Sequence, residues 1–278
     1  MNLKNLKSAA LVVVSLASFA AGADSGRSPE ANASFAEMEK MLGVAPAGFK
    51  AMPDEDVPAF WEHLKALQMN PKTVLPGKTK ELIGLGVAAQ VPCRYCLYAH
   101  QEFAKLNGAS ERELREAVAT AGIARELSAL ANGPSLKLEP SPDQVELHAE
   151  IAKAFGGTEP DAFKRYPAAS LSALWKQVKA VTMNANSALP VKTKALISLA
   201  VATQLPSALC VRDYTAMARA NGASDQEISE AVAMSGFTRS ASTVLNGGLT
   251  DETQWRKDID TIIKHVSQPA PGKKSAQR

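Results

Sequence analysis

Apolar positions fall at helical spacing along most of this chain, which is rich in alanine and poor in the alternating runs that make strands. That pattern predicts an all-α protein. Residues 57–69 and 171–183 each pattern as one helix. Residues 77–91 and 191–205 read as longer, more apolar helices, each following a Leu-Pro stop at Leu75-Pro76 and Leu189-Pro190. Pro92 is placed to start the next helix, because the first turn has no hydrogen bond for its missing N–H to lose, and Asn107-Gly108 is placed to cap its end. Ser110-Glu-Arg-Glu113 and Ser224-Asp-Gln-Glu227 read as capping boxes, each opening one further helix.

The elements repeat because the residues do. Trp61 returns as Trp175, Leu75-Pro76 as Leu189-Pro190, Lys78-Thr-Lys80 as Lys192-Thr-Lys194, Gln90 as Gln204 and Pro92 as Pro206. In the same register Asn107-Gly-Ala-Ser110 returns as Asn221-Gly-Ala-Ser224 and Asn132-Gly133 as Asn246-Gly247, always 114 residues on. Upstream, Ala36-Glu37 and Leu42-Gly43 match Ala149-Glu150 and Phe155-Gly156 at an offset of 113. A constant offset over so many positions identifies a tandem duplication and predicts two helical bundles in one chain. The first is expected over residues 35–133 and the second over 148–250, joined by a Pro-rich linker, 134–147. A C-terminal helix is expected at 251–267, then a disordered tail at 268–278.

Composition adds a compartment. Lys4 and Lys7 precede an uncharged run from Ser8 and a small-x-small site at Ala21-Gly22-Ala23, so residues 1–23 read as a signal peptide and 24–34 as a disordered leader. The run is shorter than the roughly 20 residues that span a bilayer, which favours export to the periplasm or beyond over a membrane anchor. Loss of the two lysines takes the formal charge from +3 to +1 and gives no basis for a nucleic-acid partner. With 46% apolar residues the chain can bury a sizeable core.

The candidate chemistry is concentrated between Glu81 and His100. Cys93, Cys96 and His100 follow one another at steps of three and four, so two thiols and an imidazole share a helical stripe. A site that uses a thiol must lower its pKa with a helix N-terminus, a base or both, and this stretch offers both. The spacing permits a reversible disulfide, His100 can take and return a proton, and Glu81 can orient that imidazole if its helix folds back. Helix position favours Cys93 as the attacking thiolate and His100 at i+4 favours Cys96, the preferred choice here, with Cys93 resolving. Three ligands fall short of the four that structural zinc needs. A purely structural disulfide would close too short a loop to constrain the unfolded chain much.

The duplication supplies an internal comparison. Glu81, Cys93 and His100 become Ala195, Ser207 and Tyr214 in the second copy, and Cys96 alone persists as Cys210. The framework residues match and the reactive set does not, which assigns the chemistry to the first copy. Cys210 reads as a buried thiol.

Glu81, Cys93-x-x-Cys96, His100 and the following Asn107-Gly108-Ala109 resemble the alkylhydroperoxidase D branch of the carboxymuconolactone decarboxylase family, over residues 35–133 and, in degenerate form, 148–247. The resemblance implies an all-helical bundle that assembles into trimers or hexamers. It implies Cys96 as peroxidatic thiol, Cys93 as resolving and partner-facing thiol, and Glu81 with His100 as a proton relay. The chain departs from the branch at Tyr95, where members often carry a histidine. The expected function is a thiol-dependent peroxidase or disulfide oxidoreductase with a hydroperoxide substrate, a dithiol or protein-thiol reductant and no cofactor, assembled as a homotrimer. Lactone decarboxylation without cysteine redox, and a non-enzymatic scaffold, are the alternatives.

Overall fold

The computed structural model describes residues 26–134 and 142–268. Among them are thirteen α-helices and no strand. The first copy contains α1 (Pro29–Leu42), α2 (Ala47–Lys50), α3 (Asp56–Leu67), α4 (Gly77–Gln90), α5 (Arg94–Leu106) and α6 (Glu111–Ala131). After a single tight turn at Pro142–Gln144, the second contains α7 (Val145–Ala154), α8 (Asp161–Lys164), α9 (Ala168–Thr182), α10 (Val191–Ala202), α11 (Ala208–Ala220) and α12 (Asp225–Gly247). Helix α13 (Glu252–Val266) closes the chain.

Two expected boundaries move. Residues 29–34, assigned to a disordered leader, are the first turns of α1. Ser28 caps that helix by accepting the Ala31 N–H at 3.1 Å, Arg27 pairs with Asp54 at 2.8 Å, and Ala31 is fully buried. Within the expected linker 134–147, α7 already begins at Val145. The expected signal peptide 1–23, linker residues 135–141 and tail residues 269–278 lie outside the described residues.

The repeated Lys-x-Lys pairs are structural. Lys80 Nζ is buried at the turn after α3, where it donates to the Leu67 and Asn70 carbonyls and the Thr73 hydroxyl, each at 2.9 Å. Lys194 sits equally buried in the second copy and donates to Ser187 Oγ. Lys78 reaches Glu113 at 2.8 Å and Lys192 reaches Glu227 at 2.7 Å, so the capping-box glutamate that satisfies the first turn of α6 or α12 also ties it to α4 or α10.

The two bundles share one core. Leu82, Ile83, Leu85 and Val87 of α4 lie in the same apolar cluster as Leu196, Ile197, Leu199 and Val201 of α10, together with Ala117, Ala121 and Ala124 of α6. Helix α6 packs on α10 as well as on α4, and α12 packs on α4 as well as on α10. A Cβ at Gly86 would stand 2.8 Å from Ile197 Cγ2, so the crossing of α4 and α10 depends on that missing side chain. Two carboxylates fasten the exchange. Glu230 of α12 accepts the Val74 and Leu75 N–H groups at 2.9 and 2.8 Å, and Glu116 of α6 accepts those of Ala188 and Leu189 at 3.0 and 2.8 Å. Each helix thereby satisfies the Leu-Pro approach of the other copy. A second apolar cluster joins α1, α2 and α3 to α13 and the end of α12 around Cys93 and Cys96.

Burial opposes ionisation of Glu116, and the Ala188 and Leu189 N–H groups with Arg112 outweigh it, so its carboxyl titrates below the ordinary range. Glu116→Ala is expected to cost about 1–3 kcal/mol at neutral pH, the penalty for stranding two backbone donors. Because the folded pKa is depressed, this contribution is present above the unfolded pKa and is lost as pH falls through the folded value. Chemical denaturation at neutral and acid pH should show the deficit shrinking in acid. A deficit that stays constant would mean the ionised clasp is not its source.

Candidate active site

The site begins where α4 turns into α5. Helix α4 runs out at Gln90, and the Cys93 N–H returns to the Ala88 carbonyl at 3.2 Å, which folds the chain back tightly. Pro92 therefore lies inside this turn and does not start the helix, which begins two residues later at Arg94. Cys93 is its N-cap, in extended conformation, with Sγ accepting the Cys96 N–H at 3.2 Å. The two cysteines are joined as a disulfide, with Cα atoms 5.3 Å apart. In the second copy the Ser207 hydroxyl takes the same cap, accepting the Cys210 N–H at 3.5 Å. That copy keeps the cap and lacks the second cysteine.

One turn beyond Cys96, the folding back of α4 brings Glu81 against His100. The His100 ring lies with Nδ1 2.7 Å from Glu81 Oε2, and both side chains are buried. The other carboxyl oxygen accepts the Gln68 amide of the loop after α3 at 2.8 Å. The far ring nitrogen, Nε2, faces the Thr238 hydroxyl of α12 at 3.4 Å. An ionised carboxylate only accepts, so against it Nδ1 is the donor, and in a neutral imidazole the Nε2 lone pair then faces Thr238. Space for the ring comes from Gly84, whose missing side chain would overlap the imidazole.

Three of these positions escaped the sequence reading, although the signal that singled out Glu81 and His100 applies to them too. Gln68 is matched by Thr182 in the second copy and Gly84 by Ser198. Thr238 is matched by Ala124 of the first copy, but that comparison is informative only once α6 and α12 are known to be exchanged. In the second copy Tyr214 fills the place of the imidazole, with its ring 6.1 Å from Phe155, and burial pushes its hydroxyl well above the ordinary tyrosine range. Burial likewise pushes the Cys210 thiol up, which keeps it in the unreactive protonated form.

Cys96, Glu81 and His100 all line a cavity of ≈ 420 Å³. Its remaining surface is largely apolar and drawn from both copies, with Phe49 and Phe60 of α2 and α3, Phe103 of α5, Phe237 and Leu245 of α12, and Trp255 of α13. The Phe60 and Phe237 rings stack across the copies at 5.2 Å. Tyr95 faces elsewhere. Its hydroxyl donates to the Thr250 carbonyl at 2.6 Å and its own carbonyl accepts Trp255 Nε1 at 3.0 Å, so it fastens α13 and does not extend the Glu81–His100 pair. A cysteine, an imidazole and a carboxyl lining an apolar-walled cavity suit proton-coupled thiol chemistry on an apolar ligand once the disulfide is reduced. Among the described residues, no group of three or more His, Cys, Asp or Glu side chains is placed to hold a metal, and no helix is long and apolar enough to cross a membrane.

A family model described as the carboxymuconolactone decarboxylase family matches residues 55–133 and again 169–246, more than half of the chain and one match per copy. No curated protein and no solved structure matches the chain.

Replacing a helical glycine with alanine normally gains up to about 1 kcal/mol. At Gly84 overpacking against His100 is expected to outweigh this with a cost of about 1–3 kcal/mol. In Gly84→Ala the low-field NMR signal of the hydrogen-bonded His100 Nδ1 proton should disappear. A surviving signal in a stabilised variant would contradict the packing argument.

Proposed function

The chain belongs to the carboxymuconolactone decarboxylase family, and we propose that it is a thiol-dependent peroxidase of the alkylhydroperoxidase D type, working through its first copy alone. The observation that carries this reading is the buried Glu81–His100 pair, which lines the same cavity as Cys96. In the reduced protein His100 takes the Cys96 proton, and Glu81 holds the resulting imidazolium in place. The Cys96 thiolate attacks the outer oxygen of a hydroperoxide. The O–O bond breaks, the imidazolium returns the proton to the departing alkoxide, and Cys96 becomes a sulfenic acid. Cys93 condenses with it, a disulfide forms and water leaves. Two thiols then restore the pair by exchange.

Cys93 at the helix cap suits the resolving step, because its sulfur accepts the Cys96 N–H and so lies beside the residue it must condense with. The second copy contributes walls and the Thr238 hydroxyl, while its own set, Ala195, Ser207 and Tyr214, has no counterpart for the proton relay. An exported protein meets an oxidising compartment, where the pair would rest as the disulfide until a reductant reaches it. A homotrimer is the assembly proposed.

Cys96→Ser should abolish hydroperoxide consumption. His100→Ala and Glu81→Gln should each lower kcat/KM by about 10²–10⁴, the range of a lost general acid–base group. Turnover that survives in Cys96→Ser would refute the assignment of the attacking thiol, and full activity in both relay variants would refute the relay.

A further inference from the structure

The two sulfurs of the pair differ in what can reach them. Both cysteines are buried in the second apolar cluster, but Cys96, 3% exposed, lines the cavity, whereas Cys93 has no exposed surface and does not line it. Helix α13 is fixed over the start of α5 by side chains that flank the cysteines. Tyr95 reaches the Thr250 carbonyl at 2.6 Å, Trp255 reaches the Tyr95 carbonyl at 3.0 Å, Tyr98 reaches Asp260 at 2.6 Å and Arg94 reaches Glu252 at 3.6 Å. The bond to Asp260, aided by burial, pushes the Tyr98 hydroxyl up to about 12, so this fastening keeps its proton throughout the neutral range.

We propose that the Cys93–Cys96 disulfide is reduced through the cavity by a low-molecular-mass thiol that attacks Cys96, and that α13 keeps folded protein reductants from Cys93. This rests on the pair being redox-active and not on the peroxide step. It reverses the partner-facing role that the family resemblance implies for Cys93.

The chemistry favours the same direction. The incoming thiol gives its proton to His100 in the cavity, its sulfur bonds to Cys96 Sγ, the S–S bond breaks, and the electron pair leaves on Cys93 Sγ, which takes up a proton in turn. That sulfur caps the thirteen-residue helix α5 and accepts the Cys96 N–H at 3.2 Å, so the departing thiolate forms at the positive end of the helix. Exchange is faster when the leaving thiol has the lower pKa. A second thiol then attacks the reductant's sulfur in the mixed disulfide and releases Cys96. In sum, two small thiols become one disulfide and the protein gains two thiols. A cavity of ≈ 420 Å³ with apolar walls admits a small neutral thiol and excludes a protein.

The test uses the oxidised full chain with no peroxide present, so it is independent of whether the protein is a peroxidase. Dithiothreitol and reduced thioredoxin, at equal thiol concentration, are compared by counting protein thiols with time. Dithiothreitol should reduce the pair and thioredoxin should be no faster, although its thiol, with pKa about 7, is well ionised. Faster reduction by thioredoxin overturns the proposal. A second measurement labels folded Cys93→Ser and Cys96→Ser with dithiodipyridine and locates the label by peptide mapping. Cys96 should react at least about tenfold faster than Cys93, against the bias that the helix N-terminus gives Cys93. Equal rates or the reverse order overturn the proposal as well.

Discussion

Helices α4 and α10 are buried without a break over residues 80–88 and 194–202, so each needs more cover than the helices of one copy provide. The long helices α12 and α6 supply it across the duplication, and the Glu230 and Glu116 clasps hold them there. The site inherits this arrangement. Glu81 projects from the covered helix, and the helix covering it brings Thr238 to the imidazole and Phe237 to the cavity. A single copy would hold Cys93, Cys96, His100 and Glu81 but would lack one wall of the pocket in which they lie.

Duplication also explains why one set of reactive residues suffices. Once both copies share a core, framework positions such as Lys80 and Lys194, or the two capping boxes, are needed on both sides of it. The reactive positions are not. Tyr214 occupies the imidazole's place as a buried ring, and Ser207 preserves the helix cap that Cys93 makes in the first copy. The second copy supplies cover, and packing occupies the positions that correspond to Glu81 and His100.

The helices, the capping boxes and the repeat were legible in the sequence because they depend on local spacing and local hydrogen bonds. The approach of Glu81 to His100 was half legible, since spacing put the two within reach but only the tight turn at Val91–Cys93 closes the distance. Pro92 misled because a backbone bond from Cys93 to Ala88 fixes that turn before the helix can start. Residues 29–34 looked disordered on composition, yet Ser28 and Arg27 anchor them and Ala31 enters the second cluster. The roles of Thr238, Trp255 and Tyr95 were not legible at all. Each depends on contacts more than a hundred residues apart, between elements whose exchange no local pattern reports.

Cys93 and Cys96 are proposed to act as a redox pair served by the buried Glu81–His100 relay. A free-thiol count on the fully reduced chain, before and after one equivalent of an organic hydroperoxide, tests it most directly. A loss of two thiols is expected, mapped to Cys93 and Cys96, with Cys210 untouched in its buried position. An unchanged count, or a loss at Cys210 alone, would contradict it.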